Sequence, residues 1–182
     1  MKYSKKIGFL IVGIVSVAIW SLLLWNYTHG GVPSHHILNK KDLPEISNWW
    51  GGLLLPFFTW LMVLRIESRE KLMASQNSFL PSRVLYGFIG AFAYGILLAL
   101  LFTFDYNEIL DYFFPSIIVL SLFYPIYRAE CLLGFVIGMT FTFGAILPMG
   151  IGSILALIGY VIHQIGQLVK RIILKKANKG RR

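Results

Sequence analysis

The sequence predicts an all-α integral membrane protein, a bundle of six transmembrane helices with the N- and C-termini both cytoplasmic. Three observations carry that expectation. The first is the apolar stretch from Cys131 to Val169, which has no acidic or basic side chain apart from His163 and holds Pro148 near its middle. As one helix it would be about 57 Å long, nearly twice the roughly 30 Å of a bilayer's hydrocarbon core, so it divides into two spans. The second is composition: of 182 residues 57% are apolar and 14% charged, where a soluble domain carries about a quarter charged residues. The third is where the charges of this net +9 chain lie. With both ends inside, Lys2, Lys5, Lys6, Arg65, Arg69, Lys71, Arg83, Arg128 and the basic tail share one side, and only Lys40 and Lys41 lie on the other. That asymmetry marks correctly counted spans, and a miscount by one would destroy it.

The whole chain, 1–182, reads as a single membrane domain. Basic residues at 2–6 before an apolar run at 7–25 have the outline of a signal peptide. The run is too long and no A-x-A-like cleavage site follows, so the expected element is an uncleaved first span ending at the interfacial Trp25. Residues 26–48 form a long connection outside. The second span, 49–64, opens at Trp49 and Trp50 and contains Gly51, Gly52 and Pro56. A charged connection leads to the third span, 84–103, and an acidic turn from Asp105 to Glu108 to the fourth, 109–124. Spans five and six, 131–146 and 150–169, form a hairpin turning at Leu147–Gly150, where Pro148 stops the fifth helix. Residues 170–182 are a basic cytoplasmic tail.

Lipid offers little hydrophobic drive between helices, so small residues should mark the contact faces. Gly134 and Gly138 form a GxxxG step on the fifth span. Gly152, Ala156, Gly159, His163 and Gly166 fall on one stripe of the sixth, a spacing that should let the fifth span approach closely and turn His163 into protein.

Candidate functional residues follow from the prolines and the polar side chains. Pro56 and Pro115 free the carbonyls of Gly52 and Asp111, and such groups at membrane depth must be buried in protein or line a wet cavity. With Pro148 and Glu108 at the same level, the expected site is a pocket open to the extracytoplasmic side, formed around Gly52, Pro56, Glu108, Asp111, Pro115 and Pro148. His163, an ionisable residue in a span, is a candidate proton or ligand contact, or an interfacial residue. His29, His35 and His36, with Asp42 and Glu45, suit zinc or copper chemically but lack HxH or HxxxH spacing, and a solvated loop is the plainer reading. The single Cys131 excludes an internal disulfide. No GxSG or HExxH motif is present, and Ser153 and His163 are about 15 Å apart along one helix, so no catalytic residue and no cofactor is assigned. Arg65, Glu67, Arg69, Glu70, Arg128 and Glu130 form a charged inner rim that suits a lipid headgroup; solvated ion pairs worth under about 1 kcal/mol each are the plainer account.

The functional expectation is a small-solute-binding or transport component using the outer pocket. The alternatives are an integral membrane enzyme acting on a lipid or headgroup at the cytoplasmic rim, and a non-catalytic membrane assembly subunit. Expected partners are the lipid bilayer of a plasma or inner membrane, with anionic lipid at the basic tail, and a second copy or a partner membrane subunit. Nucleic acid is excluded because the cations cluster at span ends. Size, span count and cytoplasmic termini together resemble the architecture of the membrane-embedded substrate-capture subunits of vitamin and metal uptake transporters. Their small-residue motif is not matched in the first span, where Gly8, Gly13 and Ala18 do not fall four apart.

Overall fold

The computed structural model describes residues 2–31, 34–36, 45–72 and 81–179. In chain order they form α1 (Lys2–Thr28), β1 (Ser34–His36), β2 (Glu45–Ser47), a 3-10 turn (Asn48–Trp50), α2 (Gly51–Leu72), α3 (Ser82–Thr103), α4 (Asn107–Phe123), α5 (Ala129–Phe143) and α6 (Ile146–Lys179). Among the described residues, four apolar segments are long enough to cross a membrane: Lys6–Thr28, Asn48–Lys71, Ser82–Thr103 and Ile146–Ile173. α4, with 17 residues, and α5, with 15, are shorter. Phe9, Tyr112, Phe123 and Phe141 stand among many large apolar side chains on the outer surface, a coat suited to lipid.

α1 stops where Gly30 and Gly31 take positive φ (118° and 99°) and the Gly31 N–H donates to the Asn26 carbonyl at 2.9 Å. Glycine adopts that conformation without the Cβ penalty, which is why the helix ends there. β1 then pairs antiparallel with β2, Ser34 opposite Ser47 and His36 opposite Glu45, returning the chain toward α2. α1 and α2 form an antiparallel pair with a glycine at each end of the contact. A Cβ on Gly8 would stand 2.8 Å from Val63, and one on Gly52 would stand 2.9 Å from Leu23.

The tightest seam joins α3 and α5, which run parallel. A Cβ on Gly138 would stand 2.5 Å from the Phe92 carbonyl oxygen, and one on Gly95 would stand 2.7 Å from that of Phe135. One on Gly134 would collide with the Phe88 carbonyl. The GxxxG step therefore faces α3 rather than α6. The α6 stripe divides: Gly152 lies under Leu132 and Phe135 of α5, whereas Gly159 meets Ser121 and Ile126, and Gly166 meets Leu122 of α4. Sequence spacing gives the face a glycine occupies but not the helix that fills it. Val136, Phe135 and Met139 of α5 sit in a core completed by Ile19, Leu23, Leu55, Leu98 and Leu155. The buried hydroxyls of Thr59 and Thr140 donate to Leu55 O at 2.8 Å and Val136 O at 2.7 Å, so neither leaves a bare polar group in that core.

The hairpin between α5 and α6 turns earlier than expected. α5 ends at Phe143, Gly144 takes φ 69°, and Pro148 falls inside the first turn of α6. Proline fits there because a first-turn N–H has no helical partner to lose. Pro56 and Pro115 also lie within continuous helices. α2 continues past residue 64 to Leu72 and α6 past 169 to Lys179, since Arg, Glu, Lys and Leu are strong helix formers and hydropathy marks the lipid boundary, not the helix end.

Candidate functional site

The extra turns of α2 carry Arg69 to the first turn of α5. There Arg69 Nη1 donates to Glu130 Oε2 at 2.9 Å and Nη2 to Oε1 at 3.0 Å, a bidentate pair. The Glu130 side chain is 0% exposed and that of Arg69 24%. Arg69 also donates through Nε and Nη2 to Glu70 Oε1, at 3.2 and 3.1 Å, and Arg83 Nη2 donates to Glu70 Oε2 at 2.7 Å. Alternating charges thus tie α5 to α2 and α2 to α3. The ends match as well: a carboxylate sits at the positive N-terminus of α5, and a guanidinium in the last turn of α2. The Arg69–Glu130 pair is therefore not a solvated one, whereas Lys71 and Arg83, which pair with Glu67 and Glu70, are exposed. Removing one partner of a buried pair strands the other charge without water, which costs about 3–5 kcal/mol.

A cavity of ≈ 360 Å³ adjoins this network, between α3, α4, α5 and α6. Small residues make the room: Gly87, Gly90 and Ala91 on α3 face Gly152 and Ala156 on α6. The volume lies within the roughly 300–1,000 Å³ typical of small-molecule sites. Gly87 joins cavity to network, because a Cβ there would stand 3.0 Å from Glu130 Cγ, 3.1 Å from Tyr124 Oη and 3.3 Å from Cys131 Sγ. Tyr94, also in the lining, donates its hydroxyl to the Phe113 carbonyl at 2.6 Å, linking α3 to α4. A Cβ on Gly90 would meet nothing within 4 Å, so that wall is open space. A wider apolar groove of ≈ 680 Å³ runs between α1, α3 and α5. No charged residue is among the described lining of either, and the smaller cavity is set apart by Gly87, which touches Glu130.

The residues expected to form an outer pocket do not converge. Gly52 is buried against Leu23 and Trp20 of α1, with Pro56 one turn along on α2. Asp111 and Pro115 line a separate recess of ≈ 370 Å³ with Leu147 and Ile151. Glu108 is exposed, and Pro148 is buried at the start of α6. The separation follows from helix pairing: α2 packs mainly on α1 and α5, α4 on α6 and α3.

His163 Nδ1 lies 3.1 Å from the Ser121 carbonyl. Residue 125 is proline and has no N–H to give that carbonyl, so the imidazole supplies the missing donor. This requires hydrogen on Nδ1 and leaves Nε2 toward Gln167 Nε2, at 3.5 Å. His29 stacks on Trp25 with ring centroids 3.8 Å apart, and its Nδ1 lies 3.0 Å from the Trp25 carbonyl. His35 and His36 are in β1; their side chains, with Asp42 and the Glu45 side chain, lie outside the described residues. Among the described residues no cluster of three metal-ligating side chains occurs.

Two features of the site were not anticipated: the burial of Glu130 and the part played by Gly87 and Gly90. The partners Arg69 and Glu130 are 61 positions apart, and no local pattern separates a buried carboxylate from a solvated one. Fold and site together bear the marks of a helical membrane protein with a charged network beside an apolar cavity. The chain gives no match to any family model, to the curated proteins or to the solved structures.

Proposed function

We propose that this chain is a six-span membrane protein with both ends in the cytoplasm, and that it binds a small amphipathic molecule in the cavity between α3, α4, α5 and α6. The observation that carries the reading is the contact of the cavity with the buried Arg69–Glu130 pair through Gly87. An apolar hollow meeting fixed charges at one end has the two-part chemistry of an amphiphile site. The lysine and arginine asymmetry supports placing that charged end on the cytoplasmic side. α4 and α5, about 26 and 23 Å long by helical rise, are short for a span. α5 packs against α2, α3 and α6, so protein rather than lipid surrounds it and the shortfall costs little. The binding role expected of an outer pocket is thereby assigned to the inner end.

Gly90→Leu tests this reading, because it fills the cavity from a wall with space for a side chain. Gly13→Leu is the control, since a Cβ there also meets nothing within 4 Å and Gly13 lies outside the cavity lining. Native mass spectrometry of protein extracted in its own lipid should show a bound small molecule in the parent chain and in Gly13→Leu, and its loss in Gly90→Leu. Equal retention in both variants would contradict the assignment.

A further inference from the structure

The chemistry of the occupant can be narrowed, and the inference rests on the cavity reading above. We infer that the ligand is an anionic single-chain amphiphile whose headgroup is held by Arg128 and the Tyr124 hydroxyl.

Arg128 stands at the N-cap of α5, half-buried, and its carbonyl accepts from the Cys131 and Leu132 N–H groups, each at 3.0 Å. Tyr124 and Ile126 before it, and Cys131 and Leu132 after it, all line the cavity. Arg128 is not itself in the lining, but the segment that carries it borders the cavity on both sides of it in sequence, at the end next to Glu130. The other two guanidinium groups there are engaged: Arg69 binds Glu130 and Glu70, and Arg83 binds Glu70. No carboxylate lies within ion-pair distance of Arg128 among the described residues. Glu130 is the acidic group nearest in sequence, and both its oxygens are already bound by Arg69.

A cationic headgroup would meet three guanidiniums with their carboxylates already paired, and a neutral one would leave Arg128 without a counter-charge. A carboxylate or phosphate satisfies Arg128, accepts from the Tyr124 hydroxyl and is favoured by the positive end of α5. The rest of the lining is aliphatic, aromatic and glycine, which calls for a hydrocarbon body. A free fatty acid and a phosphorylated lipid present the same anionic chemistry, and the assay separates them.

The test uses one pyrene-labelled chain prepared as the carboxylic acid, the monophosphate ester and the methyl ester, titrated against the full-length protein in nanodiscs of zwitterionic lipid. At least one anionic probe should bind about tenfold or more tightly than the methyl ester, the size expected of one charge-assisted contact. The tighter of the two anions names the source. Arg128→Gln should bring all three probes to the same affinity, Arg128→Lys should restore part of the preference, and Tyr124→Phe should reduce it. Gly90→Leu should weaken all three. Equal binding of anionic and ester probes, with loss in Gly90→Leu, would overturn the headgroup assignment and leave the cavity reading standing. A preference that survives Arg128→Gln would overturn the role of Arg128. Binding unaffected by Gly90→Leu, or absent for every probe, would overturn both.

Discussion

Glu130 is the residue on which the charged end of the bundle depends. It has no water to fall back on, so its worth lies in what its loss would leave behind. Arg69→Ala should destabilise the protein by about 3–5 kcal/mol because a fully buried carboxylate loses its partner. Arg83→Ala removes a more exposed contact to Glu70 and should cost under about 1 kcal/mol. Equilibrium unfolding in mixed micelles distinguishes the two, and similar small losses would return the network to ordinary surface ion pairs. His163 is a second case in which one side chain answers a specific vacancy, the Ser121 carbonyl that Pro125 leaves bare. His163→Ala should cost about 1–3 kcal/mol, the desolvation penalty of an unpaired buried acceptor. In a Pro125→Ala background, where an N–H returns at that position, the same change should cost less. An unchanged cost in the double-mutant cycle would separate the histidine from the proline. Neither partnership was legible in the sequence. The sequence shows that Glu130 follows a charged turn and that His163 lies on a glycine stripe, but the partner of each is set by tertiary packing.

At the scale of the elements, the α3–α5 seam explains most of the glycine pattern. Gly138→Ala places a methyl group against backbone that cannot move aside, and a cost of about 1–3 kcal/mol is expected. Gly90→Ala, on the same pair of helices but facing the cavity, should be neutral or slightly stabilising, because alanine is the better helix former. If Gly138→Ala unfolds at the same denaturant concentration as Gly90→Ala, the seam is not as close as the geometry places it. The helices themselves were largely legible, since hydrophobic runs record what lipid demands of a helix, and four of them are long and apolar enough to cross a membrane. Their ends were less so. The stop at Gly144 was available from the rule that glycine sits past a helix end and proline just inside a start, but Pro148 drew the boundary four residues late. Pro56 and Pro115 likewise lie inside continuous helices rather than at breaks, and the six residues expected to form an outer pocket lie apart.

At the scale of the whole molecule, the proposed orientation rests on the charge distribution, and the span count on the helix lengths. α1, α2, α3 and α6 are long and apolar enough to cross a membrane, whereas the reading of six spans needs α4 and α5 to cross as well. Arg69 and Arg83 share a side with the N-terminus once α1 and α2 cross. In the six-span reading α4 and α5 also cross, which sets Arg128 and Glu130 on that same side and opens the cavity toward the cytoplasm. Cys131 is the one native cysteine, so Cys131→Ser provides a clean background for single thiols. Asp105→Cys lies in the turn between α3 and α4, and Tyr127→Cys in the turn between α4 and α5. In intact cells a membrane-impermeant thiol reagent should label the first, and it should reach the second only after the membrane is permeabilised. Labelling of both from the same side would mean that α4 does not cross, and would contradict the six-span bundle and the cytoplasmic cavity together.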